Sequence, residues 1–81
     1  MLHPDDIKRW ISAGFSDADI VVDGDGHHFY ASIVSDQFKN LNLISRHRMV
    51  YDVLGDKMKA EIHALSLKTY TNEEYQQLDG E

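Results

Sequence analysis

The sequence predicts an α+β fold, a small three-stranded sheet with helices packed on it, in the order αββααβα. Three observations predict it. Two strand-like runs, the first β-branched and the second alternating, flank Gly24-Asp25-Gly26, the pattern of an antiparallel hairpin. Apolar residues at helical spacing come before that hairpin and again after it. A third strand-like run and a capping-box sequence close the chain.

The first helix is expected at about 4–13. Pro4 suits a first turn, where its missing N–H is not needed, and Asp5 and Asp6 favour the positive end of the helix dipole. Ile7, Trp10 and Ile11 form one apolar stripe, and Gly14 is a plausible stop. Asp19-Ile20-Val21-Val22-Asp23 reads as a short strand, and 28–34 as the next. Phe29, Ala31 and Ile33 share one face of the second strand, and His28 shares the other with Tyr30. His27 and His28 therefore stand together at the hairpin tip. Ser35-Asp36 caps a short helical turn through Phe38, which Asn40 and Asn42 interrupt.

A longer helix is predicted at about 43–58, with Leu43, Val50, Val53, Leu54 and Met58 as its buried stripe. His47 lies on that stripe and Arg46 beside it, and Arg48 is spaced to pair with Asp52. A break at 59–61 precedes the third strand at 62–69, where His63 shares a face with Leu65 and Leu67. Thr71-Asn72-Glu73-Glu74 is the capping box of a short last helix carrying Tyr75 and Leu78. Connections are short and nothing repeats, so 1–81 reads as a single domain.

Composition excludes several function classes. There is no cysteine, hence no disulfide framework, no thiol nucleophile, and no thiolate-held iron–sulfur cluster by this chain alone. The net charge of −6 repels nucleic acid over most of the surface, and only Arg46-His47-Arg48 begins a basic face. MLHPDD has acids where a signal peptide has bases, and no apolar run reaches membrane-span length, so a cytoplasmic protein with no membrane role is expected.

Each candidate constellation has a plain counterpart. Imidazole is a common metal ligand, but a loop pair such as His27-His28 is usually solvated, and a strand histidine such as His63 usually serves as a hydrogen-bonded filler. HExxH, CxxC and His-x-His spacings are all missing, which argues against a self-sufficient zinc site. Arg46-His47-Arg48 at a helix start suits phosphate contact, but it equally suits a solvated face with His47 partly buried. Neither GxSxG nor a glycine-rich phosphate loop is present, so no enzyme is expected.

Four blocks carry a family resemblance: Val34-Ser35-Asp36-Gln37-Phe38, Arg46-His47-Arg48-Met49-Val50-Tyr51, Ile62-His63-Ala64-Leu65, and Thr69-Tyr70-Thr71 with Glu74. In this order and spacing the chain resembles the BolA family, most closely its short bacterial, histidine-type members. The resemblance implies a class II KH-like arrangement with a mixed sheet. It implies a partner, a monothiol glutaredoxin of the CGFS type, and a bridging 2Fe-2S cluster shared with that partner and glutathione. His63 would be one ligand. His28, directly before Phe29, matches the loop ligand, with His27 as a near substitute. Two imidazoles opposite two thiolates make a Rieske-like split, and imidazole ligation weakens as protons compete at low pH. The family often has Phe-x-Gly after the second strand, where this chain has Phe38-Lys39-Asn40; asparagine tolerates the left-handed backbone, so the turn is expected to survive.

The resemblance also carries a rival, since some BolA-like proteins are described as transcriptional regulators. In that reading Arg46, Arg48 and Lys39 contact DNA phosphates. A KH domain that binds RNA carries a GxxG loop, and 38–42 contains no glycine. A purely structural interaction module is a third alternative. The client of the cluster, and whether a homodimer forms in isolation, are open from sequence.

Overall fold

The computed structural model describes residues 2–62 and 64–79. Its elements are α1 (Pro4–Ser12), β1 (Asp19–Gly24), β2 (His28–Val34), a 3-10 turn (Asp36–Phe38), α2 (Leu43–Leu54), α3 (Lys57–Ala60), β3 (Ala64–Tyr70) and α4 (Asn72–Asp79). The α+β architecture and the three-stranded mixed sheet expected from sequence are both present. The strand order is β1-β2-β3, with β1 antiparallel and β3 parallel to β2. A parallel neighbour needs a crossover, and the stretch carrying α2 and α3 supplies it.

One face of the sheet is buried. Phe29, Ala31 and Ile33 point into the core, with Leu65, Leu67 and Thr69 as their partners on β3. Ile7 and Ile11 of α1, Phe38 of the turn and Val50 and Leu54 of α2 close over them. The opposite face carries His28, Tyr30 and Ser32 beside Ala64, Ser66 and Lys68. Val21 and Tyr30 are well exposed there.

Helix α1 starts by a device the sequence reading passed over. His3 is its N-cap: the imidazole accepts from the Asp5 N–H, and the Asp6 carboxylate accepts from the His3 N–H. At its other end Gly14 touches α2, where an added Cβ would stand 2.4 Å from Val53 Cγ2. Asn40 holds φ of 64°, so the turn after Phe38 keeps its left-handed residue without a glycine, as expected.

The 43–58 helix expected from sequence is two helices. Gly55 has φ of 56°, a region glycine enters without a Cβ penalty, and its N–H closes the end of α2 on Tyr51 O at 2.8 Å. Met58 therefore belongs to α3, which Lys57 ties to α1 by standing 4.9 Å over the Trp10 ring. Leu43 is 61% exposed rather than buried, because the first turn of α2 runs beyond the core. Arg48 and Asp52 are both exposed, with no ion pair between them among the described residues. Strand β3 begins at Ala64, later than expected, and Ile62 is a buried residue ahead of it. Among the described residues no helix is long and apolar enough to cross a membrane.

Candidate metal centre at the hairpin tip

The tip is built by Asp25. Its Oδ1 accepts from the backbone N–H of His27 at 2.9 Å and of His28 at 2.8 Å, and its own N–H donates to His28 O at 3.2 Å. Asparagine and aspartate make such turns because a short side chain can satisfy donors two and three residues on. Those two N–H groups, His28 first, hold the Asp25 carboxyl below its ordinary range. Gly26 supplies a φ of 98°. Gly24 supplies room, since a Cβ there would stand 2.6 Å from His28 O and 2.6 Å from Phe29 Cδ1.

This frame fixes the backbone of His28. Its side chain lies on the open face, exposed, with the ring stacked on Tyr30 at 4.9 Å between centroids and 21° between planes. Nε2 is 3.4 Å from Ser66 Oγ on β3. Nδ1 has no hydrogen-bond partner among the described residues. His27 is exposed in the turn just ahead of β2. His63 lies outside the described residues. Its successor in sequence, Ala64, is the register partner of His28, so the start of β3 runs beside the histidine that ends the hairpin turn.

His28 fits the role of a terminal metal ligand in three respects: an accessible imidazole, a backbone held by Asp25, and a ring nitrogen with no partner among the described residues. Among the described residues no three His, Cys, Asp or Glu side chains gather to hold a metal.

The basic triplet has three different fates. Arg46 is only 12% exposed and turns into the protein. Its Nε donates to Leu41 O at 2.9 Å, and its two terminal nitrogens form a fork on Glu74 at 2.6 and 3.0 Å. The guanidinium also lies 5.9 Å above the Phe38 ring. Glu74 doubles as the reciprocal half of the capping box, accepting from the Thr71 N–H at 2.8 Å while Thr71 Oγ1 accepts from the Glu74 N–H at 3.2 Å. The Arg46 hydrogen bonds, then the Thr71 N–H, hold the Glu74 carboxyl down at about 2, and Glu74 raises Arg46 in return. His47 is half-buried, with Nε2 buried and unpartnered among the described residues. Arg48 is exposed, and Lys39 is 3.6 Å from Asp36. Arg46 can contact a phosphate only by leaving Glu74. Sequence reading placed Glu74 in the capping box but missed its second partner, because 28 residues separate the two and no local pattern joins them.

A family model described as "BolA-like protein" matches residues 12–74. The DNA-binding transcriptional regulator BolA of Vibrio cholerae is 41% identical over 66 residues, which cover 82% of this chain and 62% of that protein. The Escherichia coli regulator of the same description is 40% identical over 68% of this chain and 52% of its own length. The chain thus spans between half and two thirds of these curated relatives. Among solved structures, a BolA homologue from Coxiella burnetii superposes with a TM-score of 0.87 at 47% identity, covering 94% of this chain and 99% of the other. The BolA domain of SufE1 from Arabidopsis thaliana gives 0.77 at 30% identity, over 88% of this chain and 93% of that domain. With most of its length inside the family model and its fold shared throughout, the chain belongs to the BolA-like family.

Proposed function

We propose that this chain is the histidine-donating partner of a monothiol CGFS glutaredoxin, the pair holding a bridging 2Fe-2S cluster for trafficking or iron homeostasis. The observation that carries it is the exposed His28 imidazole on a tip held by Asp25, in register with the residue that follows His63. A cysteine-free chain cannot build a thiolate site, but it can complete one that a partner begins. His28 and His63 would serve as ligands, with His27 as the substitute for His28. The cluster is the cargo. This chain presents imidazole, holds the His28 backbone through Asp25, and contributes no catalytic group.

The test is anaerobic co-expression with a CGFS glutaredoxin, followed by visible absorption and circular dichroism of the purified mixture. A heterodimer is expected, with a spectrum distinct from the glutaredoxin's own clustered homodimer. His63→Ala and His28→Ala should each remove the difference. Failure to co-elute with iron and glutathione present would overturn the proposal.

A second reading is favoured by two relatives, the DNA-binding transcriptional regulators BolA of Vibrio cholerae and Escherichia coli. In it Arg48 and Lys39 reach phosphates, and Arg46 does so only after release from Glu74. His63→Ala should leave such binding intact, and Arg48→Ala should weaken it.

A further inference from the structure

We infer that Tyr30 and Ser66 are positioning residues for His28, holding its ring so that Nδ1 is the nitrogen offered to a metal. This rests on the proposed ligand role of His28.

Three contacts converge on one exposed residue, one on its backbone and two on its ring. Asp25 pins the backbone through the His28 N–H and carbonyl, so Cα and Cβ have a fixed origin. Tyr30, two residues on along the same face, covers one side of the imidazole at a stacking angle of 21°. Ser66, the register partner of Tyr30, brings Oγ to 3.4 Å from Nε2. A freely solvated histidine needs none of these, and an exposed side chain ordinarily samples several rotamers. The work of Tyr30, itself 56% exposed, is therefore not core packing.

The chemistry of ligation gives the arrangement its sense. A metal-bound imidazole usually donates its other ring N–H to an oxygen, which fixes tautomer and ring orientation. The Nε2–Ser66 Oγ contact takes its direction from the tautomer; in the ligating form Nε2–H donates to Oγ and the lone pair is on Nδ1, the nitrogen with no partner among the described residues. Ordering the ring before the partner arrives also removes part of the entropy cost of binding.

The experiment has two arms. In the first, long-range proton–nitrogen spectra of this chain alone report the His28 tautomer, and ring-current shifts report its stacking. His28 should show the Nε2–H form and shifted ring protons. Ser66→Ala should reduce that shift, and Ser66→Thr should restore it, while His27 stays unchanged. In the second, the heterodimer with a CGFS glutaredoxin is challenged with an iron chelator. Loss of cluster should accelerate about tenfold in Ser66→Ala and in Tyr30→Leu, the scale typical of outer-shell partners, with the visible dichroism shifted. Both side chains are exposed, so neither change threatens the fold. An unshifted His28 ring in the free chain, or wild-type chelation rates in both variants while His28→Ala loses the dichroism, overturns the positioning role and leaves the ligand standing. A silent His28→Ala overturns the ligand role, and the positioning role with it.

Discussion

Removing Glu74 should lower the stability of this protein measurably, because the carboxylate serves Arg46 and Thr71 at once. Glu74→Ala deletes a two-point fork on Arg46 and the acceptor of the Thr71 N–H. Arg46 then keeps only Leu41 O at 2.9 Å and Thr69 O at 3.4 Å, in a site where it is 12% exposed. Breaking a fully buried pair by removing one partner costs about 3–5 kcal/mol, and an exposed pair is worth about 0–1. Glu74 is 45% exposed, so water can replace part of the carboxylate, and the cost falls between these limits at about 2 kcal/mol. For a domain of this size that lowers Tm by about 10 °C.

Thermal and urea unfolding followed by circular dichroism would read it. Arg46→Met keeps apolar bulk over Phe38 and removes the charge, so the double variant completes a cycle. We expect the Arg46 and Glu74 effects to be coupled by about 1–2 kcal/mol. A Glu74→Ala melting point within two degrees or so of the parent's, or strictly additive single effects, would refute the idea that this pair ties α2 to the start of α4.

Acid should reveal the same pair. Folding takes the Glu74 carboxyl from 4.5 to about 2, so its stabilisation is complete above pH 4.5 and drains away as pH falls towards 2. Discounted for the half-exposed carboxylate, the loss is about 1 kcal/mol, and urea melts of Glu74→Gln should lack that step. Gly14→Ala should destabilise by about 2 kcal/mol in the same melts, because its Cβ meets Val53 at 2.4 Å and that branched side chain has little freedom to retreat. Asn40→Gly should be neutral or slightly stabilising, and Asn40→Val should cost about 1–2 kcal/mol, since only the latter pays a steric penalty at φ of 64°.

Local physics made most of the fold legible. Alternation on β2 put Phe29, Ala31 and Ile33 in the core, where all three are buried. Thr71 and Glu74 form the reciprocal cap their spacing implies. The break at Gly55 was also visible in principle, as a glycine just past the last periodic residue, but Met58 continued the stripe and hid it. Leu43 shows what periodicity leaves out: it gives the direction of a side chain and not the extent of the surface it meets. The candidate site was legible as residue types at a hairpin tip. Its geometry was not, because the placement of His28 against Ser66 depends on a parallel register across 38 residues.

That same long-range packing decides how much DNA affinity the basic triplet can support. Three cations in or near one helix start suggest three phosphate contacts, but the fold spends Arg46 on Glu74. Arg48 and Lys39 are left, the second already near Asp36 at 3.6 Å. Two phosphate contacts set a slope of log affinity against log salt of about −2 on duplex DNA. The remaining surface belongs to a chain of net charge −6 and works against association. Fluorescence anisotropy across a salt series should therefore show weak binding with a shallow slope, and Arg48→Ala should flatten it by about one unit. A slope steeper than about −4, unchanged by Arg48→Ala, would mean that DNA is held by a different surface, and the triplet would lose its role in the regulator reading.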